Sequence, residues 1–419
     1  MARKWANRAI IAYVVFGFAM YAYLFLFAGG TVPQEYMGTA SDPKMFLTER
    51  EQLVAEEYSS IRNLLFFLST PYEWLMYLLI LLSGASRAFE RWAKSVTRFR
   101  FLQTVTYVFI LNVATFLIVF PLAYISHLLS KSYGISIETF SQWMRDEVVD
   151  FWVNFAVMAV VIHFLFLLIQ KARQRWWLYA SLSLIPLVLF LMFLQPVVID
   201  PLYNDFTEIQ DEDLEEQILQ LAKEADIPTD QVFEVNMSEE TNALNAYVTG
   251  IGSNARIVLW DTTLKQLSDR AILFIMAHEM GHYVEKHLYI GMASYMVAAF
   301  AIFFVLAKWM QRIVSRHGKV LKVDSVTQLR VLPLFYLLLS LLLFIMSPFA
   351  NAVSRYQEAR ADDYALEMTQ DPDAAIEAFQ ELTRAGRSEV NPPLLVKWFR
   401  YGHPTMFERL NAIEKFRGQ

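Results

Sequence analysis

The sequence predicts a predominantly α-helical, multi-pass membrane protein with about seven spanning helices and one water-facing segment that carries a small β-sheet. Three observations predict this class. Of the 419 residues, 56% are hydrophobic and only 19% are charged, against roughly 25% charged in soluble domains. The excess gathers into long apolar runs, each suited to a bilayer core of about 30 Å, which takes about 20 residues of helix. Residues 195–287 break the pattern with an acidic amphipathic stretch and then short runs rich in β-branched and aromatic residues. The net charge of −6 gives no sign of nucleic-acid binding. The absence of cysteine excludes disulfides, thiolate metal sites and a cysteine nucleophile.

In chain order, the basic start MARKWANRA leads into a first apolar run over 10–28. This run is long for the apolar part of a signal peptide, and it ends in Ala28-Gly29-Gly30 with a poor cleavage pattern. A retained anchor is expected. Residues 31–62 are polar and acidic, with Asp42-Pro43 as a helix start. They predict an amphipathic helix that runs into the second span, 64–82. A basic loop with Arg87, Arg91, Lys94, Arg98 and Arg100 precedes the third span, 102–125. The mixed stretch 126–150 precedes the fourth, 151–169, and a short basic turn (Lys171, Arg173, Arg175) leads to the fifth, 176–194. A membrane region over 1–194 with five spans follows from these runs.

The second region, 195–287, opens with QPVVIDPLYNDF. An acidic helix is expected around 211–225, ended by Ile227-Pro228. QVFEVNM, ALNAYVTG and ARIVLW read as strands, the last two joined by a hairpin signal at Gly250, Gly252 and Asn254. The third region, 288–350, holds spans six (288–307) and seven (331–350) around a basic loop. The last region, 351–419, is expected to be water-facing and helical. With seven spans, the N-terminus and the basic loops 83–101, 170–175 and 308–330 all fall on one side. The positive-inside rule makes that side cytoplasmic. The 195–287 segment and the tail then share the opposite, non-cytoplasmic face, whether the host is a bacterial inner membrane or the endoplasmic reticulum.

The stretch AILFIMAHEMGHYVEKH, residues 271–287, carries the chemistry. On a helix capped by Ser268 or Asp269, His278 and His282 lie one above the other, four residues apart. Two imidazoles so placed can share one metal ion. Glu279 beside them can take a proton from water on that metal. A catalytic zinc needs three protein ligands and one open position. The metzincin pattern would need glycine at 285 and histidine at 288, where the chain has Glu285 and Leu288. His287, nine residues past His278, points away at 100° per residue and reads as an interfacial histidine. The single acid between 286 and 357, Asp324, lies in the loop across the membrane. The first acid on the correct side is Glu358, in NAVSRYQEARADDYALE. Asp362 shares its helix face and would accept the free N–H of a ligand histidine. Asp363 and Glu367 are substitutes for the third ligand. His163, Asn112 and Glu73, in or near apolar spans, fit hydrogen bonding between helices better than catalysis.

The chain resembles the type I CAAX prenyl proteases, integral-membrane zinc metallopeptidases of the gluzincin kind. IDPLYNDF, NAYVTG, RIVLWDTTL, HEMGH, EARADDYA and HPTMFER stand in that family's order across nearly the whole length. The resemblance implies a gluzincin-like α+β unit and a large chamber within the membrane. It implies His278, His282 and Glu358 as ligands of one Zn²⁺ per chain, with Glu279 as general base. It implies that Asn245, Ala246 and Tyr247 form an edge strand that pairs with a substrate backbone, and that His403 and Arg409 steady the oxyanion. The expected function is a membrane-embedded zinc endopeptidase that trims C-terminal tripeptides from prenylated proteins. Its partners would be a peptide or protein substrate, prenylated or not, and membrane lipid. Two other readings stand beside it: a quality-control protease of membrane proteins with no prenyl requirement, and a non-enzymatic scaffold or transporter with a structural metal.

Overall fold

The structure is a computed structural model that describes residues 1–229, 231–249 and 256–418. The hairpin signal at 250–254 lies outside the described residues. The helices in chain order are α1 (Ala2–Ala22), α2 (Glu49–Ser83), α3 (Ala85–Val96), α4 (Arg100–Ser132), α5 (Phe140–Lys171) and α6 (Trp176–Leu194). After them come α7 (Glu212–Glu224), α8 (Asp261–Gln266), α9 (Asp269–Val284), α10 (His287–Leu321) and α11 (Leu332–Thr369). The last three are α12 (Pro372–Ala385), α13 (Leu394–Arg400) and α14 (Met406–Arg417).

Among the described residues, six helices are long and apolar enough to cross a membrane: α1, α2, α4, α5, α10 and α11. The fifth apolar run forms the shorter α6, with Pro186 inside it, and continues into a wide helical turn, Gln195–Ile199. Six long helices and this shorter one correspond to the expected count of about seven. Several run well beyond the bilayer core. At 1.5 Å per residue, the 35 residues of α2 span roughly 50 Å. Its start is fixed by a reciprocal cap between Thr48 and Glu51, and it ends at Gly84. Gly84 has φ of 84°, a left-handed conformation that glycine enters without steric cost. The helix expected to start at Asp42-Pro43 begins there only as a short 3₁₀ turn, Pro43–Met45, capped by Asp42, and α2 itself starts at Glu49.

Among the described residues, the two larger hydrophobic cores stand at opposite ends of the helices. The first joins the ends of α2, α4, α5, α10 and α11 that meet α3, with Tyr107, Leu111, Ile169 and Trp176 wholly or almost wholly buried. The basic segments meet here. Arg330 Nε donates to Glu90 at 2.5 Å and Lys322 to the Ser83 carbonyl at 2.6 Å. Gln170 reaches the Thr327 carbonyl, and Trp5 packs on His317. Between the two ends, Glu73 and Asn112 line a cavity of about 330 Å³ bounded by α2, α4 and α5. His163 on α5 instead faces Thr104 on α4, at 3.3 Å.

The second core lies at the other end and is built on a sheet of four strands: β1 (Phe206–Glu208), β2 (Val232–Val235), β3 (Ala246–Thr249) and β4 (Arg256–Trp260). Their spatial order is β1-β2-β4-β3. β2 and β4 are parallel, and β1 and β3 flank them antiparallel. β3 is thus an edge, with Tyr247 opposite Val258. α7, α9, α12, α14 and the end of α11 cover the sheet side of this core, where Ile218, Ile257, Leu259 and Phe274 are fully buried.

α11 is one unbroken helix of 38 residues from the first core to the second, with Pro348 inside it. The boundary expected at 350 therefore falls in mid-helix. α9 packs more extensively against α11 than against any other element. Gly281 permits the approach: a Cβ there would meet Ala361 Cα at 3.2 Å and the Tyr364 ring at 3.2 Å. Gly281→Leu should overpack this contact at a cost of about 1–3 kcal/mol and lower the unfolding temperature in detergent. Gly291→Ala, whose nearest neighbour is a ring carbon at 4.0 Å, should leave it unchanged.

Candidate metal centre

Ser268 starts α9 by accepting from the Ala271 N–H, and the helix then holds His278 and His282 four residues apart on its buried side. The edge of α9 faces α11, which carries Glu358 and Asp362 at the same spacing, both buried. His278 Nε2 and His282 Nε2 are 3.2 Å apart. Glu358 completes the triangle, with Oε2 3.2 Å from His278 Nε2 and Oε1 3.4 Å from His282 Nε2. A tetrahedral ion with bonds of about 2.0 Å separates neighbouring donors by roughly 3.3 Å. The three donors thus stand at the spacing that a single zinc requires, with two imidazoles and one carboxylate to hold it.

The remaining ring nitrogens are also held. His278 Nδ1 lies 2.8 Å from Asp362 Oδ1. Asp362 in turn accepts from Arg409 Nε at 2.8 Å and Nη2 at 2.5 Å. Arg409 is only 6% exposed, and its guanidinium carbon sits 3.9 Å from the centre of the Phe379 ring. It belongs to the first turn of α14, whose start is fixed by a reciprocal cap between Thr405 and Glu408. HPTMFER is therefore a capped helix start that buries its arginine. Two of the arginine's nitrogens go to Asp362, and its side chain also lines the cavity above the centre.

His287 departs from the sequence reading. Extrapolated along one helix it points away from the pair, but the structure puts its Nδ1 3.0 Å from His282 Nδ1. The reason is a break in the helix. α9 stops at Val284, Lys286 adopts φ of 57°, and α10 starts afresh at His287. That left-handed residue turns the chain so that the ring folds back against His282. Without glycine or proline at the break, the sequence carries no ordinary signal for it.

Glu279 lines the cavity beside the triangle, and burial pushes its carboxyl above the usual range, against the pull of His278. His403, with 63% of its side chain exposed, rests Nδ1 2.7 Å from Glu358 Oε2. Asn245 and Ala246 line the same cavity, of about 380 Å³. The backbone at Asn245 is anchored by Thr263, whose Oγ1 receives the Asn245 N–H at 2.9 Å and donates to its carbonyl at 2.8 Å. Tyr247 follows on β3, its hydroxyl pushed up to about 12 by burial and by Asp200. Asp363 and Glu367 stand on the same helix as Glu358, outside the triangle. Sequence reasoning also missed the far wall of the cavity, formed by Arg62, Glu389 and Arg400.

Comparison with known proteins adds independent observations. Residues 208–417 match the model of peptidase family M48, and residues 39–205 match the model described as CAAX prenyl protease N-terminal, five membrane helices. The uncharacterized metalloprotease YhfN of Bacillus subtilis is 48% identical over 413 residues, covering 99% of this chain and 97% of that one. CAAX prenyl protease 1 of Saccharomyces cerevisiae is 26% identical over 327 residues, covering 74% and 72%. The crystal structure of S. mikatae Ste24p superposes with a TM-score of 0.79 at 22% identity, over 97% of each chain, a likeness of fold.

The geometry generates a stability and an affinity prediction for Asp362. Asp362→Ala strands the buried Arg409 charge and should cost about 3–5 kcal/mol, read by thermal unfolding. Asp362→Asn keeps a hydrogen-bond acceptor for His278 but removes the charge. It should also lose stability, because the Arg409 charge is left without its counter-charge and the new amide N–H faces a donor, and weaken zinc binding about 10- to 100-fold, read by competitive chelation.

Proposed function

The chain belongs to peptidase family M48 and is an integral-membrane metalloprotease, and we propose that it is a zinc endopeptidase that cuts peptides laid along the edge of β3. The carrying observation is the donor triangle of His278, His282 and Glu358 with Glu279 beside it. The metal that the family implies is zinc in this reading, one per chain, because two neutral imidazoles and a carboxylate at tetrahedral spacing suit it. Bound there, zinc would polarise the scissile carbonyl and lower the pKa of water.

The chain's own residues then do the following. The free edge of β3 offers N–H and C=O groups, so a peptide adds as a further strand whatever most of its side chains are. Asn245, held by Thr263, sets the end of that strand at the cavity. Glu279 takes the proton from the attacking water and passes it to the leaving amine. His403, exposed at the cavity mouth, donates to the oxyanion once its Nδ1 leaves Glu358. Arg409 serves the same oxyanion with its remaining Nη1 and steadies His278 through Asp362. Its burial gives the positive charge weight that it would lack in water.

Relatives named CAAX prenyl protease 1 suggest C-terminal trimming of prenylated proteins as the reaction. A specific observation favours the second reading, a quality-control protease without a prenyl requirement. The basic segments gather at the end opposite the centre, and the positive-inside rule then puts the centre on the non-cytoplasmic face. Matched prenylated and unprenylated peptides separate the two. Equal cleavage favours quality control, and cleavage of the prenylated peptide alone favours trimming. For the mechanism, Glu279→Gln should retain one zinc per chain by elemental analysis and lose about 10²- to 10⁴-fold in kcat. Unchanged turnover in that variant would exclude Glu279 as the base.

A further inference from the structure

The end of the molecule opposite the metal centre holds a cavity of another kind. It measures about 260 Å³ and lies where α3, the first turns of α4, the last turns of α5 and the segment 327–329 before α11 converge. The basic loops gather at this end. Glu90 and Asp324 are the only acids in the loops 83–101, 170–175 and 308–330. Both are already engaged. Glu90, almost wholly buried, takes Lys94 Nζ at 2.9 Å and Arg330 Nε at 2.5 Å, so one carboxylate serves two cations. Asp324 takes another nitrogen of Arg330 at 3.3 Å.

Arg100 is left over. It lines the cavity, forms no ion pair among the described residues and reaches only the neutral amide of Gln170, at 3.4 Å. Gln328 lines the same cavity. Its side-chain oxygen accepts from the N–H groups of Asp324 and Ser325, while its amide N–H₂ donates to nothing among the described residues. No side chain caps the start of α4, so its first N–H groups add to the positive field there. Arg100 and Gln328 thus offer donors with no acceptor to match, and Lys94 has only a share in one. What these groups lack is an anion.

The surroundings say where the anion comes from. α3 carries Arg87, Arg91 and Lys94 together with an exposed Trp92, and an exposed Phe99 follows it. Basic residues mixed with aromatic rings belong at the headgroup level of a bilayer. The cavity runs inward from that level. Its lining on α5 extends from Gln170 to His163, roughly 10 Å at 1.5 Å per residue, and Phe166, Leu167 and Leu329 make one side of it apolar. Phe101, exposed on α4, packs edge-on against His163 with ring centres 5.0 Å apart, and Phe164 is exposed beside it on α5. A free phosphate would leave the apolar side bare. A space of this size holds a headgroup rather than a whole lipid, and the exposed faces of α4 and α5 are where the chains would lie.

We propose that this cavity is a phospholipid site, in which Arg100, Lys94 and Gln328 hold the phosphate of an anionic membrane lipid whose acyl chains run along α4 and α5. A lipid so held joins α3, α4, α5 and the approach to α11 at the end away from the metal. The proposal stands independently of the peptidase reading.

Lipid binding to the delipidated full chain in a neutral detergent, followed by native mass spectrometry, tests the site without any turnover. Dioleoylphosphatidylglycerol should bind about ten-fold tighter than dioleoylglycerol, which has the same chains and no phosphate, as expected for charge-assisted contacts. Arg100→Gln and Lys94→Gln should each remove most of that preference, and Arg100→Lys should keep part of it, since it retains the charge and gives up the fork. Arg173→Gln, in the exposed basic turn outside the cavity, should leave the preference intact. Equal binding of the two lipids by the unaltered chain overturns the proposal without recourse to any variant. So does an equal loss in Arg173→Gln, which would make the attraction diffuse. Displacement of the lipid by millimolar inorganic phosphate would assign the cavity to a small free anion, and also overturns it.

Discussion

Asp362 is the point at which three separate parts of the chain are joined. It stands on α11, receives both Nε and Nη2 of Arg409 from α14, and meets Nδ1 of His278 from α9. Each partner has a demand that the others satisfy. The imidazole needs an acceptor on Nδ1 to keep Nε2 free for a metal. The arginine's buried charge needs a counter-charge. The carboxylate needs donors on both oxygens. Satisfied together, the three groups set the distance between the helices. The glycine at 281 then lets α9 and α11 close to that distance.

Much of this was legible in the sequence because it obeys a local period. His278 and His282 are found by a spacing of four on a helix, and Glu358 with Asp362 by the same rule one helix later. Elimination points to Glu358 because membrane spans leave few acids to choose among. The rest was hidden for physical reasons. His287 lay outside the pattern because a lysine in a left-handed turn restarts the helix, and lysine gives no warning of that conformation. β1 is three residues long, too short to alternate. Arg62 and Arg400 belong to distant helices, and only packing brings them to one wall. The burial of Arg409 was equally unreadable, since a capped helix start carries its arginine to solvent or core with the same letters.

The two cores divide the work. The far core is apolar and gathers the basic loops, which fixes the ends of α2, α10 and α11 relative to one another. The near core is that of a small α+β unit, with a parallel pair of strands at its centre and an edge strand at the cavity. The long helices are common to both, so the position of Glu358 is determined partly at the opposite end of the molecule. Polar groups such as Glu73 and Asn112 occur between the cores, along a cavity, where helices separated at mid-height can keep such groups hydrated.

The continuity of α11 also bears on how the enzyme is made. His278 and His282 leave the ribosome before α10 and α11, while Glu358 lies in the last third of α11. Arg409 comes later still, in the first turn of α14, with His403 in the loop before it. A nascent chain therefore carries half a metal site until two further helices have been inserted and the terminal segment has docked. Until then the helix that bears His278 and His282 lacks the carboxylate that faces it in the structure.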